Sequence, residues 1–203
     1  MAEYGNWQAA SAWGHIGSLG HIGVPGAAKV KAELQEGLGL ATVISGPESS
    51  GLVQTLKEKI GLDPPATPSA ALSSNHALIW SAPGMWMLLA RRRDGFAELL
   101  VQLAPHAAVS DQSHARAALR LSGLRARDVL AKGARLDLHP SAFPTGAAAS
   151  TTFAYMGVQL WRAPDEAGAP VFELLVPRSM AQSFWSWLSA SAAEFGCAVS
   201  ARG

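Results

Sequence analysis

The sequence predicts an α+β fold, in which antiparallel sheets carry helices packed on one face. Short apolar strand candidates and amphipathic helices follow in the order strand–helix–strand, twice, and a hairpin and a last helix come after them. Short hairpin strands with helices between them favour an α+β fold over a doubly wound sheet. Two split β-α-β units are also compatible with ferredoxin-like packing.

The length bounds the number of domains. The chain has 203 residues, enough for one sizeable core or two small fused ones. We expect an N-terminal arm at 1–28 and a compact α+β unit at 29–203. A division of that unit into subdomains, about 29–110 and 111–203, stays open.

The arm is rich in glycine, and the tetrapeptide GHIG occurs in it twice. Few large side chains are present to offset the backbone entropy that glycine loses on folding. The arm is therefore predicted to become ordered by docking on a partner, with Trp13, His15 and His21 as its candidate interface residues. A metal site on the two histidines is disfavoured, since no Cys, Asp or third His is near them in sequence.

The segment from residue 29 to residue 111 contains five strand candidates: KVKAEL, LGLATVIS, HALIWSAP, MWMLLA and AAVSD. SSGLVQTLKEKIG predicts a helix, because its leucines and isoleucine recur at helical spacing and Gly61 follows. GFAELLVQLA predicts a second helix, with Asp94 as its cap. Residues 63–74, rich in proline and serine, are predicted to be a loop.

The second half contains three strand candidates: HARAALRLS, TTFAYMGVQLWRA and VFELLVP, the last two joined by the loop PDEAGAP. LRARDVLAKG predicts a helix with an Asp128–Lys132 ion pair on its outer face. The last helix opens with Ser179 and Gln182 at capping-box spacing and stops at Gly196.

The composition is apolar for a soluble protein. Hydrophobic residues make up 49% and charged residues 15% of the chain, which also has seven tryptophans; about 25% charged is usual. Either another protein covers part of the surface, or the composition is simply rich in alanine. Trp185 lies off the apolar stripe of the last helix, so it is either a surface residue or an anchor in a neighbouring protein.

Charge and cysteine content exclude several classes. The net charge is +1 and no basic run exceeds Arg91–Arg93, which disfavours nucleic acid binding. The single Cys197 allows no internal disulfide and no thiolate metal cluster. The uncharged residues 4–28 are too rich in glycine and polar groups for a membrane span, and they lack the pattern of a signal peptide. We expect a soluble, cytoplasmic protein.

The stretch LDLHPSAFP places Asp137 and His139 two residues apart, before Pro140. In an extended backbone the two side chains would share a face, as a metal site or a general base requires. A metal needs at least a third ligand, and none is near in sequence. The alternative is a structural turn, in which Asp137 accepts backbone N–H groups and His139 forms a local hydrogen bond.

Two other patterns are weaker. GPESSG at 46–51 has the outline of a phosphate loop, but leucine stands where lysine should follow, so nucleotide hydrolysis is rejected. Asp111, Ser113 and His114 resemble a hydrolase trio in composition only. On a strand, neighbouring side chains point to opposite faces, so Ser113 and His114 would not meet.

The run HARAALRLSGLRARDVLAKGARLDLHPSAFPTGAA, residues 114–148, closely resembles the sarcosine oxidase gamma subunit family. LWRAP and VPRSMAQSFWSWLSASAAEFG match the same family, and IWSAPGMWMLL fits it more loosely. The resemblance implies a fold related to the folate-binding domains of the glycine cleavage aminomethyltransferase. In that relationship Asp137 and His139 are a vestigial folate-site turn.

The resemblance further implies a non-catalytic gamma subunit of a heterotetramer that demethylates sarcosine oxidatively. Its partners are alpha, beta and delta subunits, and FAD, FMN, NAD, zinc and tetrahydrofolate belong to those partners rather than to this chain. Two alternatives stay open. One is a free-standing folate-binding or transferase-like module that uses Asp137, and the other is a related complex that oxidises another N-methyl amino acid, such as N-methylglutamate.

Overall fold

The computed structural model describes residues 10–14, 16, 19–46 and 50–202. The strands in these residues are β1 Gly20–Ile22, β2 Val30–Gln35, β3 Gly39–Ser45, β4 Ala70–Leu72, β5 His76–Ala82, β6 Met85–Ala90, β7 Ala107–Asp111, β8 Arg116–Ser122, β9 Ala148–Phe153, β10 Met156–Glu166, β11 Ala169–Pro177 and β12 Cys197–Arg202. The α-helices are α1 Ser50–Ile60, α2 Phe96–Leu103, α3 Ala126–Ala131 and α4 Ala181–Ala192.

A five-stranded sheet contains the first β-α-β-β-α-β unit. Its strand order is β4-β5-β6-β3-β7, and all neighbours are antiparallel. Apart from the short edge strand β4, its chain order is β3-α1-β5-β6-α2-β7. This is the ferredoxin-like arrangement with which the sequence is compatible.

A seven-stranded sheet contains the second unit, with one strand inserted. Apart from the edge strand β9, its chain order is β8-α3-β10-β11-α4-β12, and the sheet order is β1-β12-β2-β8-β11-β10-β9. In the first unit, the first and last strands along the chain, β3 and β7, pair with each other. In the second unit, β2 lies between the corresponding strands, β8 and β12. β7 ends near the expected subdomain boundary at residue 110. β2 precedes this boundary in the sequence but belongs to the sheet of the second unit.

Each sheet carries its helices on one face, as predicted, and the two remaining faces pack against each other. One core cluster lies under α1 and α2, and another lies under α3 and α4. The cluster between the sheets draws on both of them: Leu40, Ile79, Met87, Leu89, Trp161 and Leu175. Since burying one such side chain contributes about 1.5–3 kcal/mol, this inner layer binds the two units together firmly.

The N-terminal arm is docked on its own sheet, which the sequence analysis did not predict. β1 pairs antiparallel with β12, and the N–H of Val24 donates to the carbonyl of Ala193 at 2.8 Å. The side chain of Trp13 is 3% exposed, and its indole N–H donates to the carbonyl of Ala118 at 3.0 Å. The described part of the arm therefore adds an edge strand and a buried aromatic anchor to this chain.

The segment predicted as one strand at 151–163 is a hairpin. β9 and β10 pair antiparallel around Ala154 and Tyr155, whose φ angles are 46° and 68°. Two-residue hairpin turns with positive φ at both positions usually contain Asn or Gly. The prediction was wrong because that turn signal is absent from the sequence. The predicted loop PDEAGAP is also mostly strand, since β10 continues to its end at Glu166.

The predicted side-chain caps are not formed. Gly95, rather than Asp94, occupies the N-cap of α2, and it forms no side-chain cap hydrogen bond. A 3₁₀ turn at Arg178–Met180 leads into α4, which likewise has no side-chain cap, so Ser179 and Gln182 do not form a capping box. Both helices are held by their buried faces instead, which is where most helix stability arises in proteins.

The predicted Asp128–Lys132 pair is also replaced. Lys132 pairs with Glu194 and Asp128 pairs with Arg125. The chain just beyond α4 lies within reach of Lys132, and a local helix rule does not include that tertiary partner. Three strands were not predicted at all: β1, which lies in the arm, β4, which lies within the predicted loop, and β12, which follows Gly196.

Cys197 on β12 is expected to be unreactive in the folded chain. Its side chain is buried, and burial raises the pKa of the thiol to about 11. Because only the thiolate is nucleophilic, iodoacetamide at pH 8 should leave Cys197 unmodified until urea unfolds the chain. The raised pKa also lowers stability as the pH rises from the ordinary value of 9.0 to about 11, since the unfolded thiol ionises first. Rapid modification without urea, measured by mass spectrometry, would contradict this expectation.

Candidate functional site

The turn that contains Asp137 and His139 lies at the surface between α3 and β9. Asp137 Oδ1 accepts the backbone N–H of His139 at 2.8 Å, and His139 Nδ1 lies 2.7 Å from Ser141 Oγ. The N–H groups of Ala142 and Phe143 donate to the carbonyl of His139 at 2.9 and 2.8 Å. Both candidate side chains are exposed. Asp137 thus closes a local turn, which is the geometry of the structural alternative.

Two buried side chains and one arginine hold this turn against the seven-stranded sheet. Leu138 and Phe143 are 4% and 3% exposed. Arg127 of α3 donates to the carbonyl of Leu138, and its guanidinium lies 5.3 Å from the centroid of the Phe172 ring. Desolvation, followed by the charge of Arg162, lowers the pKa of Arg127. An arginine nevertheless stays charged at neutral pH, so the turn is fixed by a charged donor.

Asp111, Ser113 and His114 do not form a hydrolase trio. The hydroxyl of Ser113 accepts the N–H of Leu40 at 2.9 Å and donates to its carbonyl at 3.3 Å. His114 Nε2 lies 2.8 Å from Arg93 Nη1, and Asp111 Oδ1 accepts the N–H of Ser113 at 2.8 Å. A catalytic triad requires a serine–histidine hydrogen bond, which these contacts do not include. The three side chains instead stabilise the crossing, the segment between β7 and β8 where the chain passes from one sheet to the other.

The carboxyl of Asp111 stays ionised at neutral pH. Burial raises its pKa, but the hydrogen bonds from Ser113 and the charges of Arg93 and His114 outweigh burial and hold the pKa below its ordinary value. A lowered carboxyl pKa adds stability that is fully present above the ordinary value of 3.8 and is lost as the pH falls through the lowered one. This crossing is therefore weakened only in strong acid.

A groove of about 320 Å³ lies where the chain crosses between the sheets. Five segments line it: the arm at residues 10–12, the crossing after β2, the loop after β6, the crossing before β8 and the residue after β11. The sequence analysis did not identify this groove, because no local motif marks any of the five segments. Only the folded chain brings them together.

The groove is positively charged. Arg93, His114, Arg116 and Arg178 line it together with one carboxylate, Glu36, which accepts a hydrogen bond from a serine of the arm. Its described lining residues include no Phe, Tyr or Trp. Small-molecule sites are mostly apolar and aromatic with a few polar groups. The described lining of this groove instead combines alanines and leucines with several charged side chains.

The four interface candidates have different surroundings. Trp13 is buried in the core of its own chain, so the prediction that it contacts a partner is corrected: its ring is already covered. Trp185 is half-buried and packs against the same core. His21 is exposed and its Nε2 lies 2.7 Å from the carbonyl of Val24. His15 lies outside the described residues. A partner contact at Trp185 or His21 stays a prediction.

The described tryptophans are wholly or partly buried within their own chain. Of the six within the described residues, three are buried and three are half-buried, so the core accounts for them: Trp13, Trp80, Trp86, Trp161, Trp185 and Trp187. The large apolar side chains that are exposed come from separate elements: Leu19, Val24, Ile44, Leu72, Val101, Leu124, Tyr155 and Met180. In the part of the chain that the structure describes, no helix has the length and apolar character to span a membrane.

Residues 48–194 match the sequence model of the family described as "Sarcosine oxidase, gamma subunit family", which is more than half of the chain. The chain belongs to that family. The matched range includes the Asp137 turn and α4, on which the sequence resemblance depends, and it ends before β12.

Two relatives in the family show how much of the chain is shared. The sarcosine oxidase subunit gamma of Arthrobacter sp is 36% identical over 100 residues, which are 48% of this chain and 49% of that subunit. The subunit gamma of Corynebacterium sp. strain P-1 is 31% identical over 150 residues, which are 72% of each chain. The chain thus aligns with about half the length of the first relative and with most of the second.

Solved structures confirm the predicted fold. A chain of the heterotetrameric sarcosine oxidase from Corynebacterium sp. U-96 has a TM-score of 0.78 at 25% identity, covering 92% of this family member and 96% of that chain. The aminomethyltransferase T from Bartonella henselae has a TM-score of 0.60 at 16% identity, covering 87% of this chain and 48% of that one. The predicted kinship in fold with the aminomethyltransferases is therefore confirmed.

Proposed function

We propose that this chain is a structural subunit of a heterotetrameric sarcosine oxidase, with no active site of its own. In this proposal the complex oxidises sarcosine to glycine with release of hydrogen peroxide, and the one-carbon unit passes to tetrahydrofolate. Alpha, beta and delta subunits are the partners, and this chain holds them in place.

The observation that carries the proposal is that each side chain suspected of chemistry is bound within its own fold. Asp137 closes an exposed turn, Ser113 binds the backbone of a neighbouring strand, and His114 faces an arginine. A general base must instead reach a proton of an oriented substrate. The match in fold over nearly all of one chain of a heterotetrameric sarcosine oxidase supports the assignment to a subunit.

The cofactors are assigned to the partner subunits. FAD, FMN, NAD, zinc and tetrahydrofolate are all expected there. Zinc requires three or four nitrogen, sulfur or carboxylate ligands. The described residues bring no three His, Cys, Asp or Glu side chains close enough to share a metal ion, so their donor set does not fit zinc.

Co-expression with the three partner subunits tests the proposal. Affinity purification of this chain is expected to recover a flavin-containing complex that turns over sarcosine. Overexpressed alone, the chain is expected to be poorly soluble and to stay in solution only when dilute, and supplying the alpha subunit is expected to restore its solubility. A flavin-free monomer that stays soluble and retains no alpha subunit contradicts the proposal.

Replacing Asp137 by Asn in the assembled complex is expected to leave kcat and KM for sarcosine unchanged. The tetrahydrofolate-dependent product yield should not change either, because the carboxylate contacts only a backbone N–H and Asn retains an acceptor oxygen. Steady-state kinetics of both complexes measure this. Calorimetry of the wild-type complex and the variant with tetrahydrofolate is the control. Heat of binding that disappears in the variant would favour the folate-binding alternative.

A further inference from the structure

Three arginines of the groove form no ion pair with any described residue. Of the eleven arginines, all of them within the described residues, six form ion pairs and five do not. Three of those five, Arg93, Arg116 and Arg178, line the groove between the sheets. The other two lie elsewhere: Arg127 holds the Asp137 turn, and Arg135 stacks on Tyr155. Unpaired guanidinium groups are thus concentrated at one place.

The hydrogen bonds of these arginines go to neutral groups, and only Arg93 has a carboxylate near it, that of Asp111, among the described residues. Arg93 donates to the carbonyls of Leu38 and Ser113 at 2.9 and 3.0 Å, and Arg178 donates to two carbonyls of the arm. Arg116 is half-buried and has no hydrogen-bond or ion-pair partner among the described residues. A guanidinium has five N–H donors, so all three retain free donors. Arg93 is exposed, and Arg116 and Arg178 are half-buried, so an anion that enters the groove can reach all three.

We propose that this groove receives an acidic segment of a partner subunit, whose carboxylates pair with Arg93, Arg116 and Arg178. This inference rests on the proposed function. Guanidinium groups bind carboxylates in a fork-like, bidentate geometry, and the one carboxylate of the groove is already bound to the arm. The absence of Phe, Tyr and Trp from its described lining residues favours a peptide over a small cofactor. Since the groove lies at both chain crossings, the bound segment also clamps the two sheets together.

The test is salt-induced release from the purified complex. Complexes that carry the wild-type chain or the double variant R93A/R116A are passed through size-exclusion chromatography at stepwise increasing NaCl concentration. The double variant is expected to dissociate at lower salt, with an affinity reduced about tenfold or more, because interfacial charge pairs determine both affinity and salt dependence. Arg116→Lys should recover part of the affinity, since lysine keeps the charge but not the fork.

Arg92→Ala is the matched control. Arg92 is exposed, adjacent in sequence to Arg93 and paired with Asp94 outside the groove, so its complex should behave as wild type. Urea unfolding of each full chain verifies that the variants fold. If the double variant stays in the complex at the same salt concentration as wild type, the inference is wrong but the assembly role stands. The same conclusion follows if the Arg92 variant is released at as low a salt concentration as the double variant. A wild-type chain that retains no partner shows that the proposed function itself is wrong.

Discussion

Replacing Glu173 by Ala is expected to lower the free energy of unfolding by about 3 kcal/mol, because it leaves the half-buried Arg91 with no carboxylate among the described residues and Arg120 with only the exposed Glu166. Glu173 is 1% exposed on β11. Its Oε1 accepts from Arg120 at 2.6 Å and from Arg91 at 3.2 Å, and its Oε2 accepts from Gln35 at 3.2 Å. Arg91 follows β6 of the other sheet, so this carboxylate also joins the two sheets.

Glu166→Ala is the control for this prediction. Glu166 pairs with the same Arg120, but its side chain is 62% exposed. Exposed ion pairs contribute about 0–1 kcal/mol, so this variant should be nearly as stable as wild type. Urea unfolding of the full chain, followed by tryptophan fluorescence, measures both free energies. Equal losses in the two variants would mean that Glu173 is not the group that compensates the buried charge.

Replacing Gly123 by Ala is expected to destabilise the chain by about 2–5 kcal/mol, the sum of backbone strain and overpacking. Gly123 has φ of +116° at the junction of β8 and α3. A Cβ at this position would lie 2.4 Å from the carbonyl oxygen of Lys29 and 3.0 Å from Val30 Cα, at the start of β2. Because both contacts are backbone atoms, no side-chain rotation relieves them.

Gly26→Ala separates the two contributions. Gly26 has nearly the same backbone angle, with φ of +111°, but a Cβ there would have no atom within 4 Å. Only the strain contribution applies, so about 1–2 kcal/mol is expected. The difference between the two unfolding free energies then measures the cost of crowding β2. If the two variants lose the same stability, the close approach of Gly123 to β2 is unimportant.

The regular elements were predictable where the apolar period was clear. The helix predicted from the leucines of SSGLVQTLKEKIG is α1 at Ser50–Ile60, and most strands follow alternating or continuous apolar runs. The hairpin at Ala154 and Tyr155 was not predictable, because neither residue belongs to the usual turn set. β1 and β12 were missed for another reason: they are stabilised mainly by pairing with each other and with β2, which a local pattern does not contain.

The candidate site also has one part that was predictable from the sequence and one that was not. The Asp137 turn was visible in the sequence because its residues are consecutive, and its hydrogen bonds are local. The groove was not visible, since Arg93, Arg116 and Arg178 come from three distant segments. The buried network did leave one signal that could have been used. A single glutamate within the apolar strand VFELLVP indicates a buried charge with a cationic partner.

The insertion of β2 between β8 and β12 has a consequence for synthesis on the ribosome. Val30–Gln35 emerges early, whereas both of its neighbours in the sheet are translated much later. During most of elongation this apolar strand has no edge to pair with, and non-local pairing of this kind is slow and prone to aggregation. Val30–Gln35 is therefore expected to lack one of its two neighbouring strands until Cys197–Arg202 has been translated, and a chain truncated before Cys197 could not form the larger sheet in full.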